Sequence, residues 1–277
     1  MADIKQLLQE KDFRFNKQFG QNFLTDQNLL QEICDDAKID GGVVLEVGSG
    51  AGTLTRVLSK NANKVITFEI DKHLKEILDT TLADCNNVQV IIGDIMRYEM
   101  HEIEALCGGE FSLVANIPYY ITTPLLMNFV ENSQNVTSLT LTIQKEVADR
   151  LSAKPSTKDY GAITVGVCAF ADVEVTRVLS RTLFYPQPNV DSAVVHIEMN
   201  RNKFDIIDRK LFRKVVKSSF AMRRKTLVNN LMVGFGLDRA EAEQIIIKSE
   251  LPVGCRGEEL SVEQYVKLFE TIKNLSF

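Results

Sequence analysis

Val43-Val44-Leu45-Glu46-Val47-Gly48-Ser49-Gly50-Ala51-Gly52 is the stretch on which the fold turns. A short run of mostly apolar residues enters a turn carrying three glycines. Such a run reads as a strand buried on both faces, as in a parallel sheet. The glycines permit positive φ and let a ligand approach the backbone closely. Thr53 to Lys60, just beyond, has helical spacing, so the stretch predicts strand, tight turn, helix.

The same alternation continues outward. Before the turn, Leu29, Leu30, Ile33 and Ala37 recur at helical spacing between Asn28 and Ile39. After it, strands are predicted at Lys64–Glu69, Val88–Ile92, Phe111–Ala115 and Leu139–Ile143. Between them fall a helix capped by Asp71 and one opening near Thr123 and Pro124, and a further one over Glu146–Leu151 follows the last strand. Strands alternating with helices imply an α/β, doubly wound sheet. Ala162–Phe170, Val173–Leu179 and Ala193–Met199 are strand-like with no long helices between them, and predict an antiparallel edge on that sheet. Beyond Asn200 the pattern is helical: Lys210–Phe220, Lys225–Val233, Ala240–Lys248 and Val262–Leu275. Asp238 with Glu241, and Ser261 with Gln264, are capping-box matches. The expected organisation is one domain over 1–200 and a small all-helical domain over 201–277.

In a doubly wound sheet, ligands bind at the carboxyl ends of the strands. Gly48 and Gly50 follow the first predicted strand of the sheet. Glu69 ends the second, 19 residues after Gly50, where a carboxylate can accept both hydroxyls of a ribose. Asp94 ends the third, where it can accept from an adenine amine. A dinucleotide fingerprint would need a third glycine at position 53, which is Thr53. The spacing instead resembles the acidic-x-G-x-G-x-G motif of class I (Rossmann-like) methyltransferases. Their cofactor, S-adenosylmethionine, carries a ribose, an adenine and a cationic sulfonium but no pyrophosphate, and carboxylates suit it.

Asn116-Ile117-Pro118-Tyr119 follows the fourth predicted strand. An exocyclic amine on adenine is a weak nucleophile, because its lone pair is delocalised into the ring. Methylating it requires the nitrogen to be held opposite the leaving group with its hydrogens turned away. The Asn116 side-chain oxygen and the Ile117 carbonyl are two acceptors able to do this. Pro118 fixes the backbone, and Tyr119 offers a face on which a flipped base can stack. Elsewhere an Asn-x-Pro-Tyr segment is a turn with a buried Tyr. Its position in this layout favours catalysis.

Composition excludes several classes. Five cysteines are widely spaced with no C-x-x-C pair, and three histidines are scattered, so neither a disulfide framework nor a metal site is expected. Met1 to Lys17 lacks an apolar signal core, and the longest apolar stretch, Gly161–Ala171, is too short to span a bilayer. A cytoplasmic protein without a membrane partner is expected. Net charge is −5, yet Arg209 to Lys225 holds eight basic residues and no acidic one. That patch suits phosphates, with Arg213, Lys217, Arg223, Arg224 and Lys225 as candidate RNA contacts. Lys11 to Lys17, with Phe13, Arg14 and Phe15, adds a smaller one.

Nearly the whole chain resembles the ribosomal RNA adenine dimethyltransferases, of the bacterial small-subunit (KsgA) type. Phe19 to Leu24 is similar to the family's N-terminal segment, in which Asn22 and Leu24 would contact the cofactor. Glu46 to Gly52, Glu69, Gly93-Asp94 and Asn116 to Tyr119 follow in the family's order. Phe184 to Ser192 resembles its F-x-P-x-P-x-V-D-S segment, making Phe184 a candidate second stacking face. Phe220 to Leu227 resembles its F-x-x-R-R-K-x-L helix. Asn189 stands where Lys is more common, and Tyr120 and Thr122 where Asn and Ser are. The resemblance implies S-adenosylmethionine-dependent N6,N6-dimethylation of two adjacent adenines in a 3′-terminal hairpin of small-subunit (16S) RNA. The implied partner is ribosomal RNA in the assembling small subunit, and the chain is expected to act as a monomer. The related large-subunit enzymes share the motif order, but the segments at Phe184 and Phe220 speak against them.

Overall fold

A computed structural model describes residues 4–16 and 19–275; Lys17, within the smaller basic stretch, lies outside them. Cα packing divides the chain into two units: residues 1–148 with 174–199, and residues 149–173 with 200–277.

The first unit contains α1 (Ile4–Glu10), β1 (Phe23–Leu24) and α2 (Gln27–Asp36), then the sheet strands with their helices. These are β2 (Val43–Val47), α3 (Thr53–Asn61), β3 (Lys64–Glu69), α4 (Lys75–Thr81), β4 (Val88–Ile92), α5 (Met100–Cys107), β5 (Phe111–Asn116), α6 (Thr122–Asn132), β6 (Val136–Gln144) and the first residues of α7 (Lys145–Leu151). The strand order is β4-β3-β2-β5-β6-β9-β7, where β7 is Ala171–Leu179 and β9 is Ser192–Met199. β2 to β6 pair in parallel, and β9 runs antiparallel to β6. Consecutive connections leave β2 on one side and return on the other at β5, so a crevice opens at the carboxyl ends of β2, β3 and β5. β2, β3, β5 and β6 are buried almost throughout, as their apolar runs require, while the edge strand β4 is only half-buried.

A two-stranded ribbon joins β1 to β8 (Phe184–Tyr185), with Leu24 opposite Phe184. It packs the segment before α2 onto a core of Leu30, Ile33, Leu54, Leu58 and Val194. A second cluster gathers Ile4, Leu8 and Phe23 against Ala51 and the α4 residues Leu78 and Ile77.

The second unit contains α8 (Ala162–Cys168), α9 (Arg209–Ser219), α10 (Leu227–Phe235), α11 (Arg239–Lys248) and α12 (Val262–Lys273). Both expected capping boxes are present, at Asp238/Glu241 and at Ser261/Gln264. One expectation fails: Ala162–Phe170 is not an edge strand. Thr164 Oγ1 accepts from Gly161 N at 3.1 Å and donates to the Arg150 carbonyl at 2.6 Å, closing the first turn of α8. Thr164, Val165, Gly166 and Val167 are all buried. A short β-branched run buried on every side reads the same as a strand or as a helix, and here tertiary packing decides. Thr123 also does not cap α6, which begins one residue earlier, at Thr122, after a turn over Tyr119–Ile121.

Candidate active site

The crevice is built from the glycine turn upward. Gly48, Gly50 and Gly52 adopt φ of +81°, +55° and +80°. A Cβ on Gly50 would lie 2.9 Å from the Phe23 ring, so only glycine lets the turn pass beneath that side chain. Gly48 N donates to the Phe68 carbonyl at 2.8 Å, which fixes the turn to the end of β3.

Glu69, the last residue of β3, is 4% exposed. Its Oε2 accepts from Gly50 N and its Oε1 from Asp71 N, both at 2.8 Å. Burial pushes its carboxyl up to about 7, against the pull of those backbone N–H groups. Each oxygen keeps a further lone pair for a ligand hydroxyl. Glu46 also has its carboxyl raised to about 7 by burial. It points elsewhere: Oε2 accepts from Thr55 and Thr67 at 2.6 and 2.7 Å, and Glu46 does not line the crevice.

The opposite wall is the Phe19–Leu24 segment. Gln21 Nε2 donates to the buried Asp71 at 2.8 Å, and Thr53 Oγ1 donates to the Leu24 carbonyl at 3.1 Å. Asn116, the last residue of β5, donates from Nδ2 to the Asn22 carbonyl at 2.9 Å. That bond turns the Asn116 oxygen away from Asn22. Among the described residues no donor reaches the Ile117 carbonyl. Tyr119 OH is 2.9 Å from Ser192 Oγ, which anchors the ring, and burial raises its hydroxyl pKa.

Asn22, Leu24, Gly48, Gly50, Glu69, Asn116, Ile117, Pro118 and Tyr119 therefore line one cleft. It is narrow, about 70 Å³. Two candidates do not join it. Asp94 caps the turn over Ile95–Arg97, accepting from Met96 N at 3.0 Å, with Arg97 3.7 Å away. The Phe184 ring is 5% exposed and belongs to the core under the ribbon. Ser49 does join the cleft and was not singled out in the sequence. Its hydroxyl is buried with no hydrogen-bond partner in the structure. Gln21 is a second such residue, and its signal lay only in the Phe19–Leu24 resemblance.

In the second unit, Arg213 and Lys217 project from α9, and Arg223, Arg224 and Lys225 lie exposed on the loop into α10. Arg223 is held by Glu258 (3.4 Å) and by the Lys158 carbonyl. The loop is pinned from below by Asn230, 1% exposed. Asn230 accepts from Met222 N at 3.0 Å and donates to the Ser219 carbonyl at 2.9 Å. Neither bond was foreseeable from sequence spacing.

A doubly wound sheet whose glycine turn, buried acid and Asn-Ile-Pro-Tyr segment meet in one crevice defines a class I methyltransferase. Residues 12–274 match the family model for ribosomal RNA adenine dimethylase, and the chain belongs to that family. It is an rRNA adenine dimethyltransferase. The chain is 43% identical to ribosomal RNA small subunit methyltransferase A of Clostridioides difficile, covering 97% of this chain and 94% of that protein. It is 42% identical to the protein of the same name from Bacillus cytotoxicus, over 95% and 93% of the two. Its fold resembles the crystal structure of a dimethyladenosine transferase from Plasmodium falciparum, with a TM-score of 0.79 at 23% identity over 91% and 98% of the chains. It also resembles the 23S rRNA methyltransferase ErmE, with a TM-score of 0.69 at 26% identity over 91% and 100%.

Among the described residues no group of His, Cys, Asp and Glu could hold a metal ion. No helix among them is long and apolar enough to cross a membrane.

Proposed function

We propose that the protein uses S-adenosylmethionine to dimethylate N6 of two adjacent adenines in a 3′-terminal hairpin of small-subunit (16S) ribosomal RNA, acting as a cytoplasmic monomer on the assembling subunit. One observation carries the chemistry: the Asn116 amide is locked to the Asn22 carbonyl beside the unpartnered Ile117 carbonyl. The relatives named ribosomal RNA small subunit methyltransferase A support the choice of subunit.

The donor set fits the cofactor. Glu69 would accept ribose hydroxyls, the Gly48–Gly50 turn would admit the ligand close to the backbone, and the orphaned Ser49 hydroxyl would gain a partner. When bound, S-adenosylmethionine supplies an electrophilic methyl carbon on a sulfonium. The chain supplies position. Asn116 Oδ1 and the Ile117 carbonyl accept the two amine hydrogens, which aims the nitrogen lone pair into the cleft. Tyr119, its hydroxyl tied to Ser192, gives the flipped base a face to stack on. Orientation of this kind is worth several kcal/mol of barrier without a general base. Asp94 would accept from the adenine amine of the cofactor with the carboxylate oxygen that its cap on the Met96 N–H leaves open. Phe184 would stack on the base only if its ring left the core. As placed, it supports the site by pairing with Leu24. Arg213, Lys217, Arg223, Arg224 and Lys225 would bind phosphates.

Incubation with labelled S-adenosylmethionine and undermethylated small subunits tests the reading. Label is expected in two adjacent adenines. Label in large-subunit RNA alone would transfer the protein to the other branch of the family, and no labelled adenine would overturn the reading.

A further inference from the structure

A second cavity of about 680 Å³ adjoins the cleft and has no part in the function proposed above. The two share Gly20, Gln21, Asn22 and Tyr119. Asn116 and Ile117 line only the first. An occupant of the second cavity therefore touches the Tyr119 side of the site without reaching the acceptor pair that holds the reacting amine.

The chemistry of its walls is specific. Gln144, Gln187 and Asn189 contribute amides, Phe15 a ring, and Pro186 and Pro188 apolar faces. Among the described lining residues none carries a charge. A phosphate would find no cation among those described lining residues. A nucleobase would find apolar faces to rest on, and amides that donate and accept on one group, which is what a base edge requires. The volume lies within the range of small-ligand pockets, ~300–1,000 Å³. Gln144 is set firmly: it ends β6 and pairs in register with Ser192, the residue whose hydroxyl anchors Tyr119. The side-chain amides of Gln144 and Gln187 have no hydrogen-bond partner among the described residues.

Resting on the adenine-methylating function, we infer that this cavity is a subsite for the nucleotide next to the reacting adenine, and that Gln144 and Gln187 read its base. A polynucleotide always brings a neighbour with the base it presents. Where two adjacent adenines are modified, each is the other's neighbour. A subsite that grips adenine therefore favours the pair over an isolated adenine. It lies to one side of Tyr119, so the two adenines are not equivalent. One reacts with its partner in the subsite, and the other reacts with a different neighbour there.

The test uses the full chain, as wild type, Gln144→Ala, Gln187→Ala and the double variant. The substrate is small subunits reconstituted with RNA in which either adenine of the pair is replaced by an abasic nucleotide. Methylation at each position is read by mass spectrometry. One abasic replacement is expected to slow wild-type methylation of the remaining adenine by about tenfold, the value of one stacked base. The other replacement should have little effect. The double variant keeps the apolar faces, so it should show a smaller slowing of the same position on intact RNA and no further loss on the abasic RNA. Independent, multiplying effects of variant and replacement would overturn the subsite, as would wild-type rates at both adenines in the double variant. Cofactor affinity reports whether the variants fold. Gln187 is exposed, so Gln187→Ala carries the test if Gln144→Ala does not fold. Failure of wild type to methylate intact RNA would instead overturn the function on which the subsite rests.

Discussion

Glu69→Gln separates two opposing effects of one buried acid. Both carboxyl oxygens accept a backbone N–H at 2.8 Å, from Gly50 and Asp71. A glutamine has one oxygen to offer, so one of those N–H groups meets an amide NH2 and is left unsatisfied, at a cost of about 1–3 kcal/mol. Against this stands the charge. The Glu69 carboxyl is raised from its ordinary 4.5 to about 7 by burial, so the wild-type fold binds a proton that the unfolded chain has released. The stability from that proton is fully present below about pH 4.5 and is lost as pH rises through about 7, roughly 3 kcal/mol in all. Glutamine does not ionise and keeps no such dependence. Glu46 titrates in the same direction in both proteins and largely cancels, and removing the Glu69 charge relieves a repulsion that raises it. The variant should therefore be less stable than wild type by about 1–3 kcal/mol near pH 5, and equal to it or more stable near pH 8. The chain has no tryptophan, so urea unfolding is best followed by far-UV circular dichroism. A stability difference that stays constant between the two pH values would refute the placement of a protonatable Glu69 in this core.

Asn116→Ala should lower methyl transfer at least about 100-fold, the usual cost of losing orientation at a reacting centre. Cofactor affinity measured by calorimetry should change by less than about tenfold, since only the single bond to Asn22 is lost from the wall. Gly50→Ala forces a Cβ to 2.9 Å from Phe23 at a φ of +55°. It should lower the melting temperature by an amount equivalent to about 1–2 kcal/mol or more and weaken cofactor binding, with partial recovery on adding Phe23→Leu. Asn230→Ala should cost about 1–3 kcal/mol and speed hydrogen exchange at Met222, whose N–H it frees. Replacing Lys217, Arg224 and Lys225 by Ala should flatten the dependence of log K on log salt by about 0.7–0.9 for each residue that meets a phosphate.

The sheet was legible because parallel strands buried on both faces leave an unambiguous trace: apolar runs such as Val43–Val47, each followed by a turn and a helix. Glu69 and Asn116 were legible for the same reason, since the end of a strand in such a sheet is a known place. Ala162–Cys168 was not, because a seven-residue segment with four consecutive buried residues and no charged one has no polar face to reveal its period. The partners of the functional residues were also invisible. Nothing in the spacing says that Asn116 donates to the main chain 94 residues earlier, or that Gln21 reaches Asp71 across 50. Asp94 and Phe184 each lie where expected in the chain, and the structure adds contacts that position alone does not reveal: a local cap at one and a core cluster at the other.

These long-range bonds join motifs that look separate in the sequence. Asn116 is oriented by the Asn22 carbonyl, so the acceptor at the reacting centre is only as well placed as the Phe19–Leu24 wall. That wall is held at three points. Gln21 is tied to Asp71, whose own N–H is held by Glu69; the Leu24 carbonyl is tied to Thr53 at the start of α3; and Leu24 pairs with Phe184 in the ribbon. Glu69 thus contacts the glycine turn directly and the methyl-acceptor site through Asp71, Gln21 and Asn22. Under the proposed function, a ligand that fills the narrow cleft would press on this wall, and the displacement would pass through Asn22 to the Asn116 amide. The expected outcome is that cofactor affinity and amine orientation are coupled through the main chain of residues 21–24, so that Gln21→Ala disturbs both in binding and turnover assays, although Gln21 sits outside the glycine turn and the Asn-Ile-Pro-Tyr segment.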